Sequence, residues 1–282
     1  MSSDLGEKVV ADHASFTLRM TGGTAEYHQF EAYDGFVSLA GAARTLTLAT
    51  NYVETGAIRQ RGEYVGRHLV RALPMREGSL IAQFTVTLAS SPAEVFGIAA
   101  SISPSQLLYG LVHRMVSRNV GLPSNPLNDD ISRVLEKRPG DVEKLVGISE
   151  PPLERAHDII GNGVEDVEWV AGFDSIANFN RESKAYIKQT VYDPEVLHDD
   201  FTVTGFYGIS GNGSVWDENL GHNVAISMDR ETLRSVGKIF SWGLDQYTNN
   251  TGLQVRIAFS RNLSVDGRVK KYIIHSADYA QL

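Results

Sequence analysis

Residues 201–228 read FTVTGFYGISGNGSVWDENLGHNVAISM, and the fold of the C-terminal third turns on them. Phe201 to Ser210 alternates apolar and polar side chains, the pattern of a half-buried strand. Gly211-Asn212-Gly213 supplies a tight turn, and Ser214 to Asp217 begins a second strand. Glu218-Asn219-Leu220-Gly221 turns the chain again, into a third strand at Asn223 to Met228. Asp229 then caps a helix in which Leu233, Val236, Phe240, Leu244 and Tyr247 share a face. Asn249-Asn250-Thr251-Gly252 ends it. Val255, Ile257 and Phe259 alternate in a fourth strand, and Asp266-Gly267 is a hairpin turn into a fifth, Arg268 to His275. The order β-β-β-α-β-β matches the five-stranded OB barrel. An SH3-like barrel with an inserted helix gives nearly the same string, so both topologies stay open.

Upstream, Ser15 to Met20 reads as a strand closed by Gly22-Gly23. A helix capped near Asp34 runs to about Glu54 and stops at Gly56. Its Gly41, Ala42, Ala43 and Ala49 would let another element approach closely. Val65 to Leu73 and Ser79 to Ala89 form a hairpin across Pro74-Met75-Arg76-Glu77-Gly78. Helices are expected at Pro92 to Ile102, Ser103 to Asn119, Asn128 to Lys137, Asp141 to Val146 and Pro152 to Ile160, separated by Pro- and Gly-bearing breaks. The fold class is therefore α+β: an N-terminal strand-helix-hairpin unit with a helical middle over 1–178, then a small OB/SH3-like barrel containing one helix over 179–282.

The whole chain narrows the function classes. Its 282 residues allow two domains, and 42% hydrophobic with 21% charged content is that of a folded protein. A net charge of −8 argues against coating nucleic acid through bulk charge, which needs a dense basic surface. The absence of cysteine removes disulfides, thiolate metal sites and a cysteine nucleophile. Met1 to Glu7 lacks the basic start and apolar stretch of a signal peptide, and no apolar run reaches the roughly 18 residues of a membrane helix. A cytoplasmic location with no membrane partner is the expectation.

No catalytic template fits. The chain has no Gly-x-x-x-x-Gly-Lys-Ser/Thr loop, Gly-x-Ser-x-Gly elbow or His-Glu-x-x-His helix, and Gly208 to Gly213 joins two strands without opening a helix. His157-Asp158 has the adjacency seen in metal-dependent HD-type phosphohydrolases. It lacks their further ligands, and a solvated helix surface is the better explanation. We assign no catalytic residue, metal or cofactor.

The cations are more informative. Arg59, Arg61, Arg67, Arg71 and Arg76 cluster in an otherwise acidic chain, and arginine forks suit phosphate or carboxylate. Alternatively they guard an exposed strand edge. In the barrel, Arg256, Arg261, Arg268, Lys270 and Lys271 fall on two hairpin-linked strands, with Phe206, Tyr207 and Trp216 on neighbours. Cations interleaved with aromatics hold single-stranded nucleic acid by stacking plus charge. Strand aromatics also serve cores, Phe201, Phe206 and Phe259 among them.

Ser38-Leu39-Ala40-Gly41-Ala42-Ala43-Arg44, followed by Gly56-Ala57-Ile58-Arg59-Gln60-Arg61, resembles the N-terminal part of a family of uncharacterised bacterial proteins. In that family an α+β domain precedes a small C-terminal barrel. Gly211 through Gly221, with Asp266-Gly267-Arg268-Val269-Lys270-Lys271-Tyr272, is similar to that barrel. The resemblance implies no catalytic residues and fits accessory roles in bacterial anti-phage defence or mobile-element loci. Taken together, the sequence points to a non-enzymatic binding or assembly protein with a protein partner or self-association. Nucleic-acid or nucleotide binding by the barrel is the alternative, and a metal-dependent phosphohydrolase the second.

Overall fold

The computed structural model describes residues 11–60, 63–64, 69–73, 80–97, 102–123 and 129–280. They form two compact units, Met1–Lys188 and Gln189–Leu282.

Unit 1 is built on a five-stranded antiparallel sheet. Its strands are β1 (Asp12–Thr21), β2 (Val70–Ala72), β3 (Leu80–Leu88), β4 (Asp166–Ala171) and β5 (Asp174–Phe179), in the order β2-β3-β1-β4-β5. Alternation sends Ala14, Phe16, Leu18 and Met20 of β1 inward beside Leu80, Ala82, Phe84, Val86 and Leu88 of β3. Helices α1 (Ala32–Thr55) and α3 (Pro104–Val120) pack on this inner face. Ser15, Thr17, Arg19, Gln83, Thr85 and Thr87 stand on the opposite face.

The helical middle comprises α2 (Pro92–Phe96), α3, α4 (Asp129–Glu136) and α5 (Pro139–Ala156). Ser103 and Gln106 form a reciprocal capping box at the start of α3. The small-residue face of α1 meets α5, as its composition suggested. A Cβ on Gly41 would lie 2.3 Å from the Pro152 carbonyl, so only glycine permits this approach.

Four features differ from the sequence reading. Asp141 to Val146 and Pro152 to Ile160 are not separate helices, because α5 runs through Pro151 and Pro152. Packing against α1 and α3 outweighs the roughly 3 kcal/mol that an interior proline costs a helix. The β4–β5 hairpin was not anticipated, and α2 ends at Gly97, whose φ of 63° is left-handed. Finally, helix α6 (Arg181–Lys188) belongs with unit 1, so the units divide at Lys188 and not at residue 178. The expected turn over 74–78 and the strand residues 65–68 lie outside the described residues.

Unit 2 is a closed barrel of β6 (Val191–Tyr207), β7 (Asn212–Asp217), β8 (His222–Ser227), β9 (Val255–Leu263) and β10 (Val269–Tyr279). Helix α7 (Arg230–Thr248) links β8 to β9, with Asp229 accepting from the Thr232 amide at its N-cap. Round the barrel the order is β6-β7-β8-β10-β9 and back to β6. All pairs are antiparallel except β8 with β10, where Lys271–Ile273 run parallel to Ala225–Ser227. That closure is OB topology, which resolves the choice against an SH3-like barrel.

Phe201, Val203, Val215, Ile226, Val255, Ile257 and Phe259 fill the barrel, and Phe240 of α7 belongs to the same core. Asp217 and Tyr272 are the polar pair inside it. The Tyr272 hydroxyl donates to Asp217 Oδ2 at 2.5 Å, and Asp217 Oδ1 accepts from the Leu220 amide at 2.8 Å. Burial, then the Asp217 carboxylate, pushes the Tyr272 pKa up. The β6–β7 turn falls at Gly208–Gly211, earlier than expected, and Asn212 and Gly213 lie inside β7. Gly213 has a positional reason for its identity, since a Cβ there would sit 2.4 Å from the Gly205 carbonyl beside the β6 bulge.

Candidate binding face of the barrel

Register fixes which side chains share the outside of the barrel. Thr202 of β6 lies opposite Trp216 of β7, which lies opposite Asn223 of β8. Two residues along, Ser214 faces Ala225, and Ala225 faces Lys271 of β10. The next step pairs Tyr207 with Asn212 and Asn212 with Ser227. Trp216 and Lys271 therefore flank β8 on one outward face, together with Tyr207.

The face is dense in hydroxyl and amide groups. Thr204 Oγ1 donates to Asn223 Oδ1 at 2.6 Å and lies 3.0 Å from Ser214 Oγ. On the β9–β10 side, buried Ser260 donates to the Tyr192 hydroxyl at 3.2 Å and sits 2.9 Å from His275 Nε2. At the end of the face, the Gly208–Gly211 loop presents Ile209, which is fully exposed, beside Tyr207 at 70% exposure. Strands β7 and β8 with this loop occupy the position from which OB barrels bind oligonucleotides and oligosaccharides.

The barrel cations behave differently from one another. Arg256 donates Nε and Nη2 to the two carboxylate oxygens of Asp200, both at 2.7 Å. Arg261 reaches Asp193 at 2.6 Å and Glu195 at 3.5 Å. Arg268 closes on Asp266 at 2.8 Å inside the β9–β10 hairpin. The guanidinium bonds hold the Asp200 and Asp193 carboxyls below their ordinary range. Lys270 Nζ donates to the Gln189 carbonyl at 3.4 Å. Unit 2 carries eight Lys and Arg against eleven Asp and Glu, so its field is mildly acidic.

In unit 1, Arg59 donates to the Glu63 carbonyl at 3.2 Å, and Arg71 lies on β2 opposite Thr85. Arg61, Arg67 and Arg76 lie outside the described residues. Of the aromatics, Phe201 and Phe259 are core, and Phe206 stacks on Phe240 at 5.5 Å. Tyr207, named with Trp216 in the sequence reading, lies on the face, and Ile209, Tyr192, Thr204 and Asn223 complete it without having been singled out as ligand contacts.

His157 is fully buried, stacked at 4.0 Å on Phe179. Its Nδ1 meets the Leu153 carbonyl at 2.7 Å, and its Nε2 meets Ser183 Oγ at 3.1 Å. Burial lowers its pKa to about 4. Asp158 pairs with Lys188 at 3.3 Å. The pair fastens the end of α5 to α6. Among the described residues, no three His, Asp or Glu side chains are grouped to hold a metal ion. No described helix is long and apolar enough to cross a membrane.

These features define a class, an α+β sheet unit followed by an OB-type barrel. Residues 16–188 match a family described as a domain of unknown function, DUF7946, and the chain belongs to that family. The match ends at Lys188, where unit 1 ends. No curated protein and no solved structure matches the chain.

Proposed function

We propose that the chain is a non-enzymatic binding and assembly protein, in which unit 1 carries assembly and the barrel is the recognition module. One observation carries the reading: Tyr207, Ile209 and Trp216 are exposed around a hydroxyl-rich, charge-poor surface on β7 and β8. Exposed aromatics beside adaptable polar groups are the composition of a protein-recognition surface. The closure of Arg256, Arg261 and Arg268 on carboxylates removes most of the charge a nucleic-acid groove would use. A photo-crosslinker placed at Ile209 in cells tests the reading. It should trap one discrete protein, and Tyr207→Ala with Trp216→Ala should abolish the product. Turnover of nucleotides, phosphoesters or esters by the pure protein would overturn it.

A second reading rests on Trp216 and Lys271 sharing one face. Among the described residues, no hydrogen bond or ion pair engages the Lys271 side chain, so stacking plus one phosphate contact suits a short single strand. Tryptophan fluorescence titration with oligo-dT distinguishes the two. Binding at physiological salt that Lys270→Glu with Lys271→Glu weakens, with a shallower salt slope, would favour nucleic acid. No binding leaves the protein-recognition reading.

A further inference from the structure

The eight lysines and arginines of unit 2 fall into two groups. Arg256, Arg261 and Arg268 are held on carboxylates, and Lys270 on the Gln189 carbonyl. Lys271 stands on the outward face already described, and the rest lie on α7. Arg230, Arg234 and Lys238 are exposed, and among the described residues no hydrogen bond or ion pair engages their side chains. Spacing by four sets them in one stripe, which at 1.5 Å per residue is about 12 Å long.

The stripe does nothing for the helix itself. Like charges four residues apart repel, and Arg230 stands in the first turn, where the helix dipole disfavours a cation. Glu231 and Asp245 are the carboxylates of α7 on the same exposed side, and neither pairs with the stripe. Asp229, at the N-cap, is taken by the Thr232 amide.

The stripe also borders the recognition surface. The Met228 amide donates to the Gly211 carbonyl at 3.1 Å, just before α7 begins. Leu233 packs on the same turn, since a Cβ on Gly211 would lie 3.7 Å from Leu233 Cδ2. The Gly208–Gly211 loop, with its exposed Tyr207 and Ile209, is therefore pinned against the first turns of α7. An apolar rim and a row of unmatched cations lie side by side.

From this we infer that the surface docks an acidic, amphipathic helix of a partner protein, with carboxylates on Arg230, Arg234 and Lys238 and apolar side chains on Tyr207 and Ile209. The match is one of spacing as well as charge. A helix with a carboxylate at every fourth position repeats them at the same interval as the stripe. Arginine forks take carboxylates in two-point geometry. A nucleic-acid strand fits less well: residues 230–238 hold no aromatic to stack a base, and Glu231 and Asp245 would repel its phosphates. The inference rests on the recognition half of the reading above and names the partner's chemistry.

Fluorescence anisotropy of the full chain with a labelled synthetic helix tests it. The helix carries Glu at every fourth position beside a leucine face, and a control replaces each Glu by Gln. The wild type should bind the Glu peptide with an affinity that falls as salt rises, and the Gln peptide at least about tenfold more weakly. Arg234→Glu with Lys238→Glu should weaken the Glu peptide by at least about tenfold, with circular dichroism unchanged because both side chains are exposed. Equal binding of the two peptides, no binding of the Glu peptide, or a double variant that binds like the wild type overturns the proposal. Binding of oligo-dT that this variant abolishes overturns it too, and gives the stripe to nucleic acid. Cross-linking from Ile209 in cells separates the two levels. A product that persists in the charge-reversed variant leaves recognition standing and sinks only the acidic helix, whereas no product in the wild type removes the reading beneath it.

Discussion

Unit 1 keeps much of its hydrogen-bonding chemistry inside, whereas the barrel wears most of its own outside. In unit 1, His157, Asn119, Ser149 and Glu54 are buried and each ties one element to another: Asn119 donates to the Val146 carbonyl and to Ser149, Glu54 accepts from the Ala89 amide, and His157 meets Ser183. Glu54 alone accepts from the Ala89 and Ser90 amides and from the Ser90 hydroxyl, fixing the end of β3 to α1. The barrel core holds one such pair, Asp217 with Tyr272, while its arginines are matched at the surface. The lesson is about where specificity resides. A layered unit of many helices needs internal polar contacts to choose among packings, while a closed barrel has its register fixed by the ladder itself.

The comparison is broken most sharply by pH. The His157 pKa falls from 6.5 to about 4 on folding because burial disfavours the charged ring. The unfolded chain therefore binds the extra proton first as pH falls. The stabilisation is complete above pH 6.5 and is lost as pH drops toward about 4, a loss of about 3 kcal/mol. Hydrogen exchange should show amides of α5 and α6 losing protection through this window. In His157→Gln their protection should be lower at neutral pH and nearly flat across the window. Wild-type protection that does not change would show that the buried ring is not what sets the pH response of unit 1.

How much was legible follows the same division. The barrel was readable because alternation is a local signal: Phe201 with Val203, and Val255 with Ile257 and Phe259, announce inward faces within a few residues. Val167, Trp169 and Ala171 before Gly172 carry the same signal, and it could have revealed β4. Pro151 and Pro152 misled, since a local rule was overridden by packing from α1 and α3. Trp216 and Lys271 were legible as candidates. The pairing of the arginines was not, because Asp200 lies 56 residues from Arg256 and Asp193 lies 68 from Arg261. Partnership across a barrel is set by register, which one-dimensional charge clustering does not encode. Nor were Tyr207 and Ile209 legible as a rim, because the turn was expected at Asn212-Gly213, which β7 absorbs.

A second effect, of similar size for one variant and smaller for its partner, sharpens the contrast within the barrel. Asp217→Ala strands both the Tyr272 hydroxyl and the Leu220 amide, and leaving buried donors unmet should destabilise unit 2 by about 3 kcal/mol. Tyr272→Phe removes one donor but leaves Asp217 its Leu220 contact, so about 1 kcal/mol is expected. Urea unfolding followed through the α7 amides measures both. Equal losses in the two variants would mean that the aromatic packing of Tyr272 on Phe259, at 4.3 Å, matters more than the hydrogen bond.

The smallest effect belongs to an ion pair on the outside of the barrel wall. Arg256 and Asp200 have ideal two-point geometry, yet the arginine side chain is 59% exposed. Exposed pairs of this kind gain little because water and salt screen them and because two long side chains must be held still. Arg256→Ala should therefore leave the urea midpoint of unit 2 where it was at moderate salt. Its consequence lies elsewhere. Asp200 stands next to Thr202 in the row that leads to Trp216, so losing its counter-ion makes that end of the face more acidic. An anionic ligand at Trp216 should then bind more weakly and with altered salt dependence, while a neutral protein surface should hardly respond. An Arg256→Ala variant as unstable as Asp217→Ala would place this pair with the buried network of unit 1, and the division drawn between inside and outside would fail at the barrel wall.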